Sequence, residues 1–152
     1  MAWSNSKIFM ATIEAMFENA AALDVSGDTL KAALYDNTIT PDQTVALANT
    51  AYNAGQWANT AEVDDDTDWA AGGEPLTSVA SGFSSNVYTL DAADTPQSGS
   101  SCTLADVYGC LVYDDSVSDY GICYNYFGGV NSVTAGDFTI QWNGSGILTI
   151  TA

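Results

Sequence analysis

The hydrophobic pattern of the chain changes its period once, near residue 27. Before that point, apolar or small side chains recur every three or four positions, at Ile8, Phe9, Thr12, Ile13, Met16, Phe17 and Ala20. This spacing is typical of one face of an α-helix. Ser4 or Ser6 is a candidate for the N-terminal cap, and the turn-forming sequence VSGD at 25–28 follows. We therefore predict one amphipathic helix from Ile8 to Leu23.

After residue 27 the apolar positions fall into short runs, which are separated by connections rich in Gly, Pro, Asn, Asp and Ser. The runs cover residues 29–35, 56–63, 83–91, 105–115, 120–127, 137–142 and 147–151. No further helical segments alternate with them. The pattern therefore predicts a mainly β fold, an antiparallel β-sandwich or barrel of about seven strands with one N-terminal amphipathic helix. We expect residues 1–27 (arm and helix) and 28–152 (β-rich domain) to form a single compact unit.

The last two runs predict a hairpin at the C-terminus. Phe138, Ile140 and Trp142 alternate with polar residues, and Leu148 and Ile150 continue an apolar face after the sequence NGSG at 143–146. Asn and Gly adopt positive φ readily, which favours a chain reversal between two paired strands.

The net charge of −17 excludes several partners. Nineteen Asp and Glu residues are opposed by Lys7 and Lys31 alone, and the chain contains no Arg and no His. Binding to phosphate requires clusters of Lys and Arg, so we expect no nucleic-acid partner and no anionic membrane partner. No segment has the pattern of a signal peptide or a membrane span, and we expect synthesis in a reducing cytoplasm.

The composition also removes most catalytic chemistry. Without His, the chain cannot form a Ser-His-Asp or Cys-His arrangement or a His-containing zinc site. Cys102, Cys110 and Cys123 lack metal-binding spacing and lie in apolar runs, where cysteine is typically buried. A pair of carboxylates could still hydrolyse a glycoside. We predict that the protein is not an enzyme and needs no cofactor.

The sequence EVDDDTDWAAGG at 62–73 concentrates five carboxylates. An EF-type calcium loop requires Gly at its sixth position and Glu at its twelfth. Counted from Asp64, these positions hold Trp69 and Pro75, so that pattern fails. A looser calcium site formed by Asp64, Asp66 and Asp68 is one alternative. We favour a solvated acidic loop, because the whole chain is acidic.

Four segments resemble, in matching order, parts of a known family. They are DTLKAALYDNTITPDQT (28–44), AYNAGQW (51–57), YGCLVYDD (108–115) and FGGVNSVTAGDFTIQWNGSGILTI (127–150). The family comprises small virion structural proteins encoded among the head and tail genes of tailed bacteriophages. The resemblance extends from about residue 28 to residue 152. The segment YGICYNYFGG departs from it, since it carries more Cys and Tyr than the family's corresponding strand.

The resemblance implies a structural role without catalytic residues. Within that role we favour a capsid decoration (cement) protein, which binds the outer surface of the phage head and stabilises major capsid subunits. Packaged DNA repels a chain of this charge from the interior. The candidate interface residues are Trp3, Ile8, Phe9, Ile13, Met16 and Phe17. By analogy with decoration proteins we also expect a homo-oligomer, for which a trimer is one arrangement.

Two alternatives stay open. The first is a minor tail or fibre component that contacts the host. The second is a carbohydrate-binding β-sandwich module with an aromatic groove. The aromatic candidates for such a groove are Tyr108, Tyr113, Tyr120, Tyr124, Tyr126 and Trp142.

Overall fold

A computed structural model describes residues 3–65, 68–96 and 101–152. It confirms the predicted fold class, with two antiparallel sheets, one α-helix near the N-terminus and no closed barrel among the described residues. The elements are β1 (Lys7–Ile8), α1 (Met10–Glu18), β2 (Leu30–Tyr35), β3 (Glu74–Pro75), β4 (Ala80–Ser84), β5 (Val87–Asp91), β6 (Cys102–Asp114), β7 (Gly121–Gly136) and β8 (Leu148–Thr151). Three short 3-10 helices occupy Leu47–Asn49, Gly55–Trp57 and Asn59–Ala61.

The large sheet has the strand order β1-β7-β6-β2-β3, and the small sheet has the order β4-β5-β8. In the large sheet, Ala33 of β2 lies opposite Leu111 of β6, which lies opposite Tyr124 of β7. The small sheet packs against one face of the large sheet. Leu90 and Ile147 therefore join a core with the apolar residues of β2 and β6.

The central strands β2 and β6 are buried on both faces, which explains why they read as nearly continuous apolar runs. One face meets the small sheet. The other face forms a second cluster, here named the aromatic core, with members Trp3, Phe9, Ala33, Tyr35, Ile39, Trp57, Ala61, Leu111, Tyr113 and Tyr124. The N-terminal arm and the connection between β2 and β3 supply the Trp and Phe side chains that cover this face.

The helix is shorter than predicted at both ends. Ile8 belongs to β1, where it pairs with Cys123, and Phe9 is the N-terminal cap residue, with no side-chain cap. The helix ends because Asn19 adopts φ 53°, and Ala20 then donates its N–H to the Ala15 carbonyl oxygen at 2.9 Å. This arrangement is a Schellman-type stop. The predicted cap at Ser4 or Ser6 and the predicted end at Leu23 were therefore wrong.

Three of the predicted strands do not form as single strands. Residues 56–63 form 3-10 turns, because Trp57 packs into the aromatic core instead of extending along a sheet. The run 83–91 is a hairpin, since Ser85 and Asn86 have φ of 50° and 66° and reverse the chain between β4 and β5. Residues 137–142 form no strand, and only Ile140 makes an isolated bridge, with Thr95.

The predicted C-terminal hairpin was also wrong in its pairing. The chain does turn after Trp142, and Gly146 donates its N–H to the Asn143 carbonyl oxygen at 2.7 Å. However, β8 pairs with β5, where Leu148 lies opposite Leu90. Strand β5 thus takes the position beside β8 that the sequence pattern assigned to 137–142.

Among the described residues, no helix is long and apolar enough to cross a membrane.

Candidate interaction surface

A row of apolar side chains crosses one face of the small sheet. Phe83 of β4 lies opposite Tyr88 of β5, and Tyr88 lies opposite Ile150 of β8. Directly opposed residues of antiparallel strands project from the same face. Phe83 is 86% exposed and Ile150 is 41% exposed. The pairing therefore places large apolar groups side by side in solvent.

The helix extends this row. Ile13 and Met16 line a small apolar cavity of about 40 Å³ together with Tyr88 and Ile150. Met16 is 42% exposed, and Phe17, which follows it in the last helical turn, is 88% exposed. We name the combined surface the apolar face, with members Met16, Phe17, Phe83, Tyr88 and Ile150. Such a surface marks an interaction site more often than a scattered single apolar residue does.

Buried anchors hold the helix that presents this surface. Thr12 is 1% exposed and donates its hydroxyl to the Gly121 carbonyl oxygen. At the start of the helix, Met10 donates its N–H to the Gln43 carbonyl oxygen at 3.1 Å. Ala15 is buried on the same side. Met16 and Phe17 of the apolar face thus stand on a fixed helix, which lowers the entropy cost of binding a partner.

The structure divides the six predicted interface residues. Trp3 and Phe9 are fully buried in the aromatic core, so their assignment to an interface was wrong. The side chain of Trp3 folds back onto its own chain, where Nε1 donates to the Asp36 carbonyl oxygen at 2.7 Å. Ile8 and Ile13 are half-buried, whereas Met16 and Phe17 are exposed.

Three members of the apolar face, Phe83, Tyr88 and Ile150, were missed because the small-sheet pairing was not foreseen. A usable signal was the sequence Ser84-Ser85-Asn86, whose residues favour a tight turn inside the run that was predicted as one strand.

Glu62, the first carboxylate of the acidic stretch 62–73, is hydrogen-bonded to other residues of the chain. It accepts hydrogen bonds from the Tyr52 hydroxyl and from the Gly72 N–H, each at 2.7 Å. Tyr52 stacks on Tyr113, whose hydroxyl donates to the Gly72 carbonyl oxygen at 2.6 Å. Burial raises the pKa of Glu62 above its usual range, and a weaker contribution comes from the negative charge of Asp64. This residue therefore orders the loop rather than facing bulk water.

Two further acids of this stretch bind the start of β6. Asp65 accepts the Thr103 N–H at 2.6 Å, and Asp68 accepts the Ser101 N–H at 2.7 Å. Asp64 is exposed, and Asp66 lies outside the described residues, so the three-aspartate calcium site stays a prediction. Within the described ranges, no group of three or more His, Cys, Asp or Glu side chains is placed to hold a metal ion.

The cysteines are buried free thiols, as predicted. Burial raises the pKa of Cys110 and raises that of Cys123 to about 12. Both thiols therefore stay protonated at neutral pH, which removes the reactive thiolate form.

No family model, curated protein or solved structure matches this chain. The structure defines it as a mainly β protein with an exposed apolar face.

Proposed function

We propose that this protein is a capsid decoration protein of a tailed bacteriophage, which binds major capsid subunits through its apolar face. The observation that carries the proposal is the exposure of Phe17 and Phe83, at 88% and 86%. Phe83 lies opposite Tyr88, and Tyr88 lines a cavity with Met16, the residue before Phe17. Fully burying a side chain of this size contributes about 1.5–3 kcal/mol. Phe, Tyr and Trp are enriched in protein interfaces relative to the rest of the surface.

The charge distribution supports a binding site for this protein on the outside of the phage head. Lys31 is paired with Asp115 at 3.1 Å, which leaves Lys7 as the other cation of the chain. A chain of net charge −17 without a basic patch has no means of neutralising phosphate. Association with packaged DNA is therefore unfavourable, whereas an apolar contact on the outer shell involves no phosphate.

Charge also favours a different protein, rather than a second copy, as the occupant of the apolar face. Two copies joined through this face would each bring −17, and their repulsion is reduced but not removed by physiological salt. A major capsid subunit does not have to carry this charge. If the protein forms the trimer that the family resemblance implies, three apolar faces would meet the shell around one symmetry axis.

We expect the double variant Phe17→Ser/Phe83→Ser to bind heads that lack the protein at least about a hundredfold more weakly than the wild type does, because two apolar anchors of about 1.5 kcal/mol or more each are lost. Cosedimentation with purified heads, followed by densitometry against the major capsid protein, measures this. Val130→Ser is the matched control, since Val130 is 54% exposed on β7 of the other sheet. Equal binding of the double variant and the wild type would contradict the proposed docking surface.

Copy number and self-association test the remaining parts of the proposal. Equivalent sites on a symmetric shell predict many copies per head, and a ratio far below about one copy per ten capsid subunits would instead indicate a tail component. Analytical ultracentrifugation of the free protein tests whether a second copy of the chain occupies the apolar face. If the wild type self-associates and the double variant does not, the apolar face joins copies of this chain and the capsid assignment of that face fails.

A further inference from the structure

Two open clefts lie side by side between the large sheet and the segment that leads into β8. Their volumes are about 470 Å³ and 480 Å³, and they share Ser6, Asn125 and Ile147 as lining residues. Each volume falls within the range of roughly 300–1,000 Å³ that is typical of small-molecule sites. Together they form one elongated groove, which does not include any residue of the apolar face.

The groove exists because β7 loses its outer neighbour. Strand β1 pairs with Cys123 and Tyr124 alone, and beyond these residues the outer edge of β7 borders the groove. The opposite wall is the segment 138–147, which adds no strand beside β7. The groove is therefore open because residues 137–142 do not form the strand that the sequence pattern predicted.

Hydrogen bonds fix the second wall in place. Ile140 and Thr95 exchange two backbone hydrogen bonds, at 2.8 and 3.0 Å. Trp142 donates its indole N–H to Thr95 Oγ1 at 3.2 Å and its backbone N–H to Asp94 Oδ1 at 3.3 Å. Ile147 donates to the Leu90 carbonyl oxygen at 2.8 Å. The groove is thus built before any ligand arrives.

The described lining residues combine aromatic rings with side-chain amides. The aromatic rings include Phe127, Phe138 and Trp142, and the amides include Asn125, Gln141 and Asn143. Among the described residues that line the two clefts, none is Asp or Glu, and Lys7 is the one charged residue. The chain as a whole carries nineteen carboxylates. An uncharged ligand therefore meets no desolvated carboxylate here, whereas an anionic ligand is repelled by the net charge.

We propose that this groove binds a neutral oligosaccharide chain. Aromatic rings offer flat apolar surfaces to the C–H faces of sugar rings, and amides offer both donors and acceptors to hydroxyl groups. Gln141 is exposed and makes no hydrogen bond to any described residue, so its donor and acceptor groups are accessible to a ligand. This activity is separate from capsid docking, because it uses a different surface of the protein.

Tryptophan fluorescence of the full chain provides a selective readout. Trp3, Trp57 and Trp69 are at most 1% exposed, whereas Trp142 is half-buried and lines the groove. The probes are maltohexaose, cellohexaose, mannohexaose and chitohexaose, with an alginate hexamer as the anionic counterpart. We expect at least one neutral probe to change the fluorescence, with a Kd between about 10 µM and 1 mM. The alginate hexamer is expected to produce no change.

Isothermal titration calorimetry separates binding from the optical signal. Trp142→Ala is expected to weaken binding about tenfold, while Trp142→Phe retains the stacking surface and most of the affinity. Phe83→Ser, on the apolar face, is expected to bind like the wild type. Because Trp142 contacts Thr95, circular dichroism must show that each variant is folded. Gln141→Ala serves as a second groove variant, and its substitution carries little structural risk. The proposal is overturned if no neutral probe binds at about 10 mM, if Trp142→Ala and Gln141→Ala bind like the wild type, or if alginate binds equally well.

Discussion

Replacing Gly109 with alanine is expected to lower the free energy of unfolding by about 3 kcal/mol or more. A Cβ atom at this position would lie 2.4 Å from the Asn125 carbonyl oxygen and 2.5 Å from Cζ3 of Trp3. Neither neighbour has room to move. Asn125 belongs to the partner strand β7, and the Trp3 ring is 0% exposed.

The methyl group should displace Trp3 from the aromatic core. The edge-to-face contacts of Trp3 with Trp57 and Tyr124, at centroid distances of 5.8 and 6.0 Å, would be lost, as would its hydrogen bond to Asp36. Urea unfolding measures the change in free energy, and a red shift of tryptophan emission reports the exposed indole.

The matched control for this substitution is Gly129→Ala. No atom lies within 4 Å of the Cβ position at Gly129, so this variant should unfold like the wild type. If Gly109→Ala also behaves like the wild type, Trp3 does not occupy its buried position, and an interfacial role for Trp3 would again be open.

Asp114→Asn is expected to stabilise the protein by about 2 kcal/mol at pH 8 and to flatten the dependence of stability on pH. Asp114 is 0% exposed, and its Oδ1 accepts the N–H groups of Ser116 and Val117 at 2.8 and 3.2 Å. Among the described residues no hydrogen-bond donor reaches its buried Oδ2, and the carboxyl group of Asp28 is a close neighbour of the Asp114 side chain. A hydrogen bond between these two carboxyl groups requires that one of them be protonated. Burial first, and then the neighbouring Asp28, raises the pKa of Asp114 to about 6.

The sign of the pH effect follows from this raised pKa. The folded state holds a proton on Asp114 over a pH range in which the unfolded state, with its pKa near 3.8, has already lost it. The stabilisation is therefore complete below about pH 4 and is lost as the pH rises through about 6. Asparagine keeps the Oδ1 acceptor and supplies a permanent donor towards Asp28, so it imitates the protonated form at every pH.

Urea titrations between pH 4 and pH 8 test this prediction. Burial also raises the pKa of Glu62, Glu74 and Asp119, so a weaker dependence of the same sign should persist in the variant. Asp106→Asn, at an exposed position, is the control and should change the stability by less than about 0.5 kcal/mol. An unchanged pH profile in Asp114→Asn would show that Asp114 is not the dominant titrating group.

The two surfaces proposed for binding differ in how far they were predictable. Met16 and Phe17 were found from helical periodicity, since a nine-residue helix leaves part of its apolar side uncovered. Phe83 and Ile150 were not found, because their proximity depends on the register of three strands. Trp142 was named as a groove candidate from composition, but its partners across the groove come from β7.

The sequence by itself determined the mainly β class, the single helix, the buried thiols and the absence of a basic surface. These properties depend on local turn chemistry, on hydrophobic period and on composition, which short segments carry within themselves. Tertiary structure alone decided that Trp3 turns inward onto Asp36, that β8 pairs with β5, and that Glu62 and Asp114 are buried. Each of these outcomes depends on contacts between residues that are distant in the chain, and the burial and pairing energies of such contacts outweigh the local preference of either partner.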